Sequence, residues 1–187
     1  MKFIKFLLIL FITTNLPIKA DSKQNLIDEL KNGGKLIFIR HAFAPGGGDP
    51  NNFIINDCNT QRNLSNFGRE QAKIIGVFFK DNNIKNEKVY SSEWCRCKET
   101  ALIAFNKFEK KKFLNSFFSS KFYKNKDLQI KNLKKFIKDW DGNQNLVFVT
   151  HYVVITELLN YSSSSGEIIV SDRNYNILGN VTISLNK

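Results

Sequence analysis

The chain contains two histidines, and both follow the same local grammar. His41 comes directly after Leu36-Ile37-Phe38-Ile39-Arg40, and His151 directly after Leu146-Val147-Phe148-Val149-Thr150. A single histidine is ordinarily a satisfied core or surface residue. Two at equivalent ends of two apolar runs are harder to dismiss. A third short run, Val89-Tyr90, leads through Ser91-Ser92 to Arg96 one helical turn later. Guanidinium groups hold doubly charged oxyanions by paired, charge-assisted hydrogen bonds. A neutral imidazole nitrogen beside such an anion can attack its central atom and carry the transferred group until water removes it. Arg40, His41, Arg96 and His151 are therefore candidates for oxyanion binding and nucleophilic chemistry, provided the fold brings them together.

The surrounding pattern says how it would. Leu36–Ile39 and Asn145–Thr150 read as strands buried on both faces, which a central parallel sheet requires. Helical spacing marks Asp21–Leu30, Leu64–Phe79 with Ser65 near its start, about Cys95–Phe108, Leu128–Trp140 and Val153–Leu159. Gly166–Val170 and Val181–Leu185 read as two closing strands. Strand and helix alternate as far as residue 160, which predicts an α/β fold: a three-layer αβα sandwich with a mainly parallel central sheet. Ligands of open α/β sheets gather at the carboxyl ends of the strands, where His41, Ser91-Ser92 and His151 would sit.

The 187 residues, 42% of them apolar, suffice for one domain with a sizeable core. Collagen, coiled coil, wholesale disorder and a polytopic membrane protein are excluded by composition. Met1–Ala20 reads as a secretory signal: Lys2 and Lys5, an apolar run from Phe6 to Ile12, then Ala20 as the cleavage residue. Thr13, Thr14, Asn15 and Pro17 cut that run short of a bilayer span, so no stable membrane anchor is expected after cleavage. The expected organisation is a signal over 1–20 and one domain over 21–187, periplasmic or secreted. The net charge of +11 falls to +8 without the leader's three lysines. Such a charge suits anionic partners, but no zinc-finger spacing or basic region with heptads marks a specific nucleic-acid binder. Export permits one disulfide among Cys58, Cys95 and Cys97. Cys58 would pair with Cys95 or Cys97, because those two are too close in sequence to pair easily with each other. No metal site is expected, since neither histidine lies near a cysteine in sequence.

Arg40-His41-Ala42 after a buried strand resembles the Arg-His-Gly signature of the histidine phosphatase superfamily, the phosphoglycerate-mutase-like fold. The likeness continues through Arg62-Asn63-Leu64-Ser65 with Gly68 and Gln71-Ala72, then Ser91-Ser92-Glu93-Trp94-Cys95-Arg96 with Thr100-Ala101, then Val149-Thr150-His151. These blocks keep the family's order and cover nearly all of residues 35–185. The resemblance implies His41 as nucleophile, Arg40 and Arg96 as phosphate ligands, His151 as the second active-site histidine and Ser92 as a substrate contact. Arg62 reads either as a third phosphate-contacting guanidinium or as a surface residue before a helix cap. Many relatives carry a glutamate proton donor some twenty residues after the second arginine, where this chain has Leu114-Asn115-Ser116-Phe117-Phe118. Glu93 is the candidate for that role, with Asp49 and Asp57 as other possibilities, each more simply a loop or capping residue. Glu167 is expected to be a solvent-facing strand residue. Phe113, Phe117, Phe118, Phe122 and Tyr123 are read as core.

The resulting expectation is an exported, metal- and cofactor-independent phosphomonoester hydrolase, acting on a small phosphorylated substrate through phosphorylated His41. A phosphohistidine or phosphoprotein phosphatase, and a non-catalytic phosphate-binding relative, are the alternatives.

Overall fold

The computed structural model describes residues 19–185; the expected signal, up to Ile18, lies outside them. The helices are α1 (Lys19–Lys31), α2 (Asn66–Asp81), α3 (Cys95–Phe105), α4 (Ser120–Tyr123), α5 (Lys126–Lys138) and α6 (Tyr152–Leu159). The strands are β1 (Leu36–Arg40), β2 (Lys88–Ser91), β3 (Glu109–Lys110), β4 (Leu146–Thr150), β5 (Ile168–Ser171) and β6 (Ile177–Val181). They form one six-stranded sheet in the order β3-β2-β4-β1-β5-β6. The first four run parallel and the last two add antiparallel pairings. This is the expected α/β sandwich.

Each of the two central strands is apolar at its first four positions because each faces a core on both sides. On one face Ile37, Ile39, Val147 and Val149 pack with Leu30, Ile75, Phe79 and Ala101 of α1, α2 and α3. On the other, Leu36, Phe38, Leu146 and Phe148 pack with Leu133, Ile137, Val154 and Ile155 of α5 and α6. The register sets Arg40 beside Thr150 and Ser91 beside Val149, so β1, β2 and β4 end level. That alignment puts His41, Ser92 and His151 at one edge.

Local chemistry fixes the boundaries. Ser65 caps α2 by accepting from the Gly68 amide at 3.1 Å. Gly68 itself lets α2 lie against the segment after β1, since a Cβ there would fall 2.0 Å from the Phe43 carbonyl oxygen. α3 ends at Phe105, earlier than its apolar spacing suggests, because Asn106 turns left-handed (φ 55°). The expected strand over Val181–Leu185 is displaced to Ile177–Val181. Asp172 closes the connecting turn by accepting from the Asn174 and Asn176 amides, so pairing begins at Ile177 opposite Ser171. By Val181 the partner strand has reached its first residue, Ile168. Among the described residues no helix is long and apolar enough to cross a membrane.

Candidate active site

His41 follows β1 directly and is 2% exposed. Its Nδ1 faces the Ala42 carbonyl oxygen at 2.8 Å, and a carbonyl only accepts, so Nδ1 carries the proton. Nε2 then holds the lone pair, and Arg96 Nε donates to it at 3.2 Å. Burial, reinforced by the Arg96 charge, pushes His41 well below the usual imidazole pKa and keeps the ring neutral.

His151 lies 5.4 Å from His41 between ring centroids. Its state follows from a chain of hydrogen bonds. Asn115 Nδ2 donates to Glu93 Oε2 at 2.7 Å, which turns Asn115 Oδ1 toward the Glu93 amide and Ser92 Oγ. Ser92 donates its single proton to that oxygen and so accepts from His151 Nε2 at 2.9 Å. The His151 proton is thereby held on Nε2, leaving Nδ1 to take up a second. Burial, with Arg96 and His41 nearby, likewise pushes its pKa well down.

Three arginines surround the pair. Arg40 donates Nη1 to the Ser163 carbonyl at 2.7 Å and lies over the Tyr152 ring, while its buried Nε has no partner. Arg62 donates to the Ala44 carbonyl and also keeps a buried, unpartnered Nε. Arg96 is gripped by Asp49: Nη1 reaches Oδ1 at 2.7 Å and Nη2 reaches Oδ2 at 3.2 Å. Asp49 also accepts from Trp94 Nε1 and the Arg62 amide. Burial alone would raise the Asp49 pKa, but the Arg96 contacts outweigh it and hold it below the usual carboxylate value. Burial lowers the pKa of Arg40 and of Arg62, Arg96 adding to each effect.

Arg40, His41, Asp49, Arg62, Arg96 and His151 line one cavity of about 240 Å³, with Phe43, Trp94, Phe118, Phe122 and Tyr152 in its walls. With both histidines neutral, three guanidiniums face one carboxylate, an environment that favours a dianion. Arg62 therefore lines the cavity. The cross-link joins Cys58 to Cys95 (Cα–Cα 5.7 Å), tying the segment before Arg62 to the residue before Arg96. Cys97 is free, buried and pushed up to about 12 by that burial, so it stays a thiol.

Several expectations need correction. Ser92 is wholly buried and meets His151, not the cavity. Glu93 also does not line the cavity; its Oε2 accepts from Asn115 Nδ2, which orients that amide. Glu167 is 4% exposed and holds the Tyr161 hydroxyl and the Ser164 amide, so it is no solvent-facing residue. Asp57 is the cap that its simpler reading expected, accepting from the Asn59 amide. Phe117 and Phe113 pack in or against the core, but Phe118 and Phe122 reach the cavity and Tyr123 is exposed. Sequence reasoning named Asp49 as a possible proton donor but missed its pairing with Arg96, and it missed Asn115 altogether. The one available signal for Asp49 was a carboxylate directly after Gly46-Gly47-Gly48, between Arg40 and Arg62 in the chain.

No family model and no curated protein sequence matches the chain. Solved structures do. The protein histidine phosphatase SixA complexed with tungstate aligns over 76% of this chain and 92% of its own, at 15% identity and a TM-score of 0.51. Phosphoglycerate mutase from Thermus thermophilus aligns over 80% and 99%, at 12% identity and 0.55. The alpha-ribazole phosphatase from Shigella flexneri aligns over 73% and 89%, at 16% identity and 0.54. The fold is phosphoglycerate-mutase-like. In this phosphoglycerate-mutase-like chain the strand-end cluster of His41, His151, Arg40 and Arg96 occupies the carboxyl edge of the sheet.

Proposed function

We propose that the protein is a phosphatase that hydrolyses a phosphomonoester through phosphorylated His41, without help from a metal. One observation carries this reading: the neutral, unprotonated Nε2 of His41 lies among three guanidiniums, two of which hold a buried Nε with no partner. The phosphoryl oxygens would take those donors, and the site's positive charge would stabilise the transition state. The His41 lone pair attacks phosphorus in line while the P–O bond breaks and its electron pair leaves with the alcohol oxygen. Water then attacks the phosphohistidine, the P–N bond breaks, and inorganic phosphate departs. His151, its Nε2 proton fixed by Ser92, would accept at Nδ1 the proton that the attacking water releases. That SixA and the alpha-ribazole phosphatase share the fold agrees with phosphatase chemistry.

Export belongs to the same proposal. Lys2, Lys5 and the apolar run from Phe6 to Ile12 support a signal over 1–20, and the Cys58–Cys95 bridge suits a periplasmic or secreted setting.

The test is release of phosphate from p-nitrophenyl phosphate in EDTA by the chain and by His41→Ala, with trapping of acid-labile phosphate on the protein. EDTA-resistant turnover and a trapped phosphoryl group, both lost in the variant, are expected. Phosphate binding without turnover in either protein would instead mark a non-catalytic binder.

A further inference from the structure

The part of the cavity beyond the phosphoryl position has two properties that narrow the substrate. First, its walls are aromatic. Trp94 stacks on Phe53 at 5.0 Å and meets Phe122 and His151 edge-on at 5.4 Å each, so the indole stands beside the second histidine. Phe118 lies against Tyr152 at 5.9 Å yet is 56% exposed. Phe118 and the half-buried Phe122 offer a flat apolar surface to a ligand, with the buried Trp94 packed against Phe122.

Second, the cavity holds no carboxylic acid free to give a proton. Among the described residues its only carboxylate is Asp49. Oδ1 accepts from Arg96 and the Arg62 amide, and Oδ2 from Arg96 and Trp94. Glu93 is turned away onto Asn115. Both imidazoles are neutral, held so by burial and the guanidiniums. No side chain of the cavity is thus placed to protonate the leaving oxygen, which favours one that can depart carrying its negative charge. Phenols, with a pKa of about 10 as in tyrosine, tolerate this far better than aliphatic alcohols do.

We propose, on the basis of the phosphatase reading above, that the substrate class is the phosphate monoester of a phenol, with its ring against Phe122 and Phe118. His41 Nε2 forms the P–N bond as the aryl P–O bond breaks, and the bonding pair leaves on the phenolate oxygen, which takes a proton from bulk water. A second water cleaves the P–N bond, restoring the imidazole lone pair. The sum is aryl phosphate plus water giving phenol plus inorganic phosphate. A small phenolic ester and a phosphotyrosine side chain present the same group.

The experiment compares kcat/KM for phenyl, ring-substituted phenyl, benzyl and ethyl phosphates on the full chain. Benzyl phosphate keeps the ring but has an aliphatic leaving oxygen. An effective general acid is worth ~10²–10⁴-fold, so its absence should favour phenyl over benzyl phosphate by about a hundredfold or more. The rate should also rise steeply with the acidity of the substituted phenol. Phe118→Ala should raise KM for phenyl phosphate several-fold more than for ethyl phosphate. Free phosphotyrosine and a phosphotyrosine peptide separate the two sources, whichever is preferred. Equal rates for phenyl and benzyl phosphate, or a flat series, overturn the phenolic class while leaving the phosphatase reading intact. Failure to turn over any ester, with no acid-labile phosphate on His41, overturns both.

Discussion

Replacing Asp49 by Asn keeps the shape of the side chain and removes its charge, which isolates what the Asp49–Arg96 pair contributes. The pair is bidentate, with the Arg96 side chain 3% and the Asp49 side chain 14% exposed. Removing one member of a buried pair strands the other charge, at a cost of ~3–5 kcal/mol. The cavity admits water beside Asp49, so the lower end, about 3 kcal/mol, is the appropriate figure. At roughly 2–4 °C per kcal/mol for a domain of this size, the melting temperature should fall by about 6–12 °C. The variant leaves three guanidiniums with no carboxylate among them, so added phosphate should recover more stability in it than in the parent. Thermal unfolding followed by circular dichroism, with and without inorganic phosphate, reads both effects. The direction with pH is also set. The Asp49 pKa is lowered in the fold, so its contribution is complete above the ordinary carboxylate pKa and is lost as pH falls through the folded value. A variant melting at the parent's temperature, and gaining no more from phosphate, would refute the view that this carboxylate neutralises a buried guanidinium.

Two further outcomes follow from the same geometry. The Cys58–Cys95 bridge joins positions 37 apart in the chain, worth about 4 kcal/mol on chain-entropy grounds. Cys58→Ser, or reduction, should lower the melting temperature accordingly and raise KM for a phosphate ester more than it lowers kcat, because the bridge spaces Arg62 from Arg96. An unchanged KM would show that these arginines are positioned without it. Both histidines have lowered pKa values, first by burial and then by Arg96. Their neutral forms should persist below the ordinary imidazole pKa of about 6.5, and stability should decline as pH falls from there toward the folded values, since only the unfolded chain gains those protons readily. Histidine resonances titrating near the ordinary value in the folded protein would contradict this.

The order of elements and the strand-end placement of both histidines are legible in one dimension because they depend on local pattern. All-apolar runs bury on both faces wherever they occur, and residues following such runs arrive at the strand ends; His41 and His151 could be assigned on that ground alone. Ser65 and Gly68 mark the start of α2 by equally local chemistry. The roles of Glu93, Ser92, Asp49 and Asn115 are not local. Glu93 sits three residues before Arg96 in the chain, yet its carboxylate faces Asn115, and the resulting relay through Ser92 sets the proton on His151. Asp49 meets Arg96 across 47 positions, and Cys58 selects Cys95 over Cys97 because only Cys95 faces it at the start of α3. Residue type and spacing along the chain thus determined the central strands, the main helices and the placement of both histidines at strand ends. Partnership among polar groups, and with it the protonation of each, was decided by tertiary packing, because hydrogen bonds and buried charges answer to distance in space.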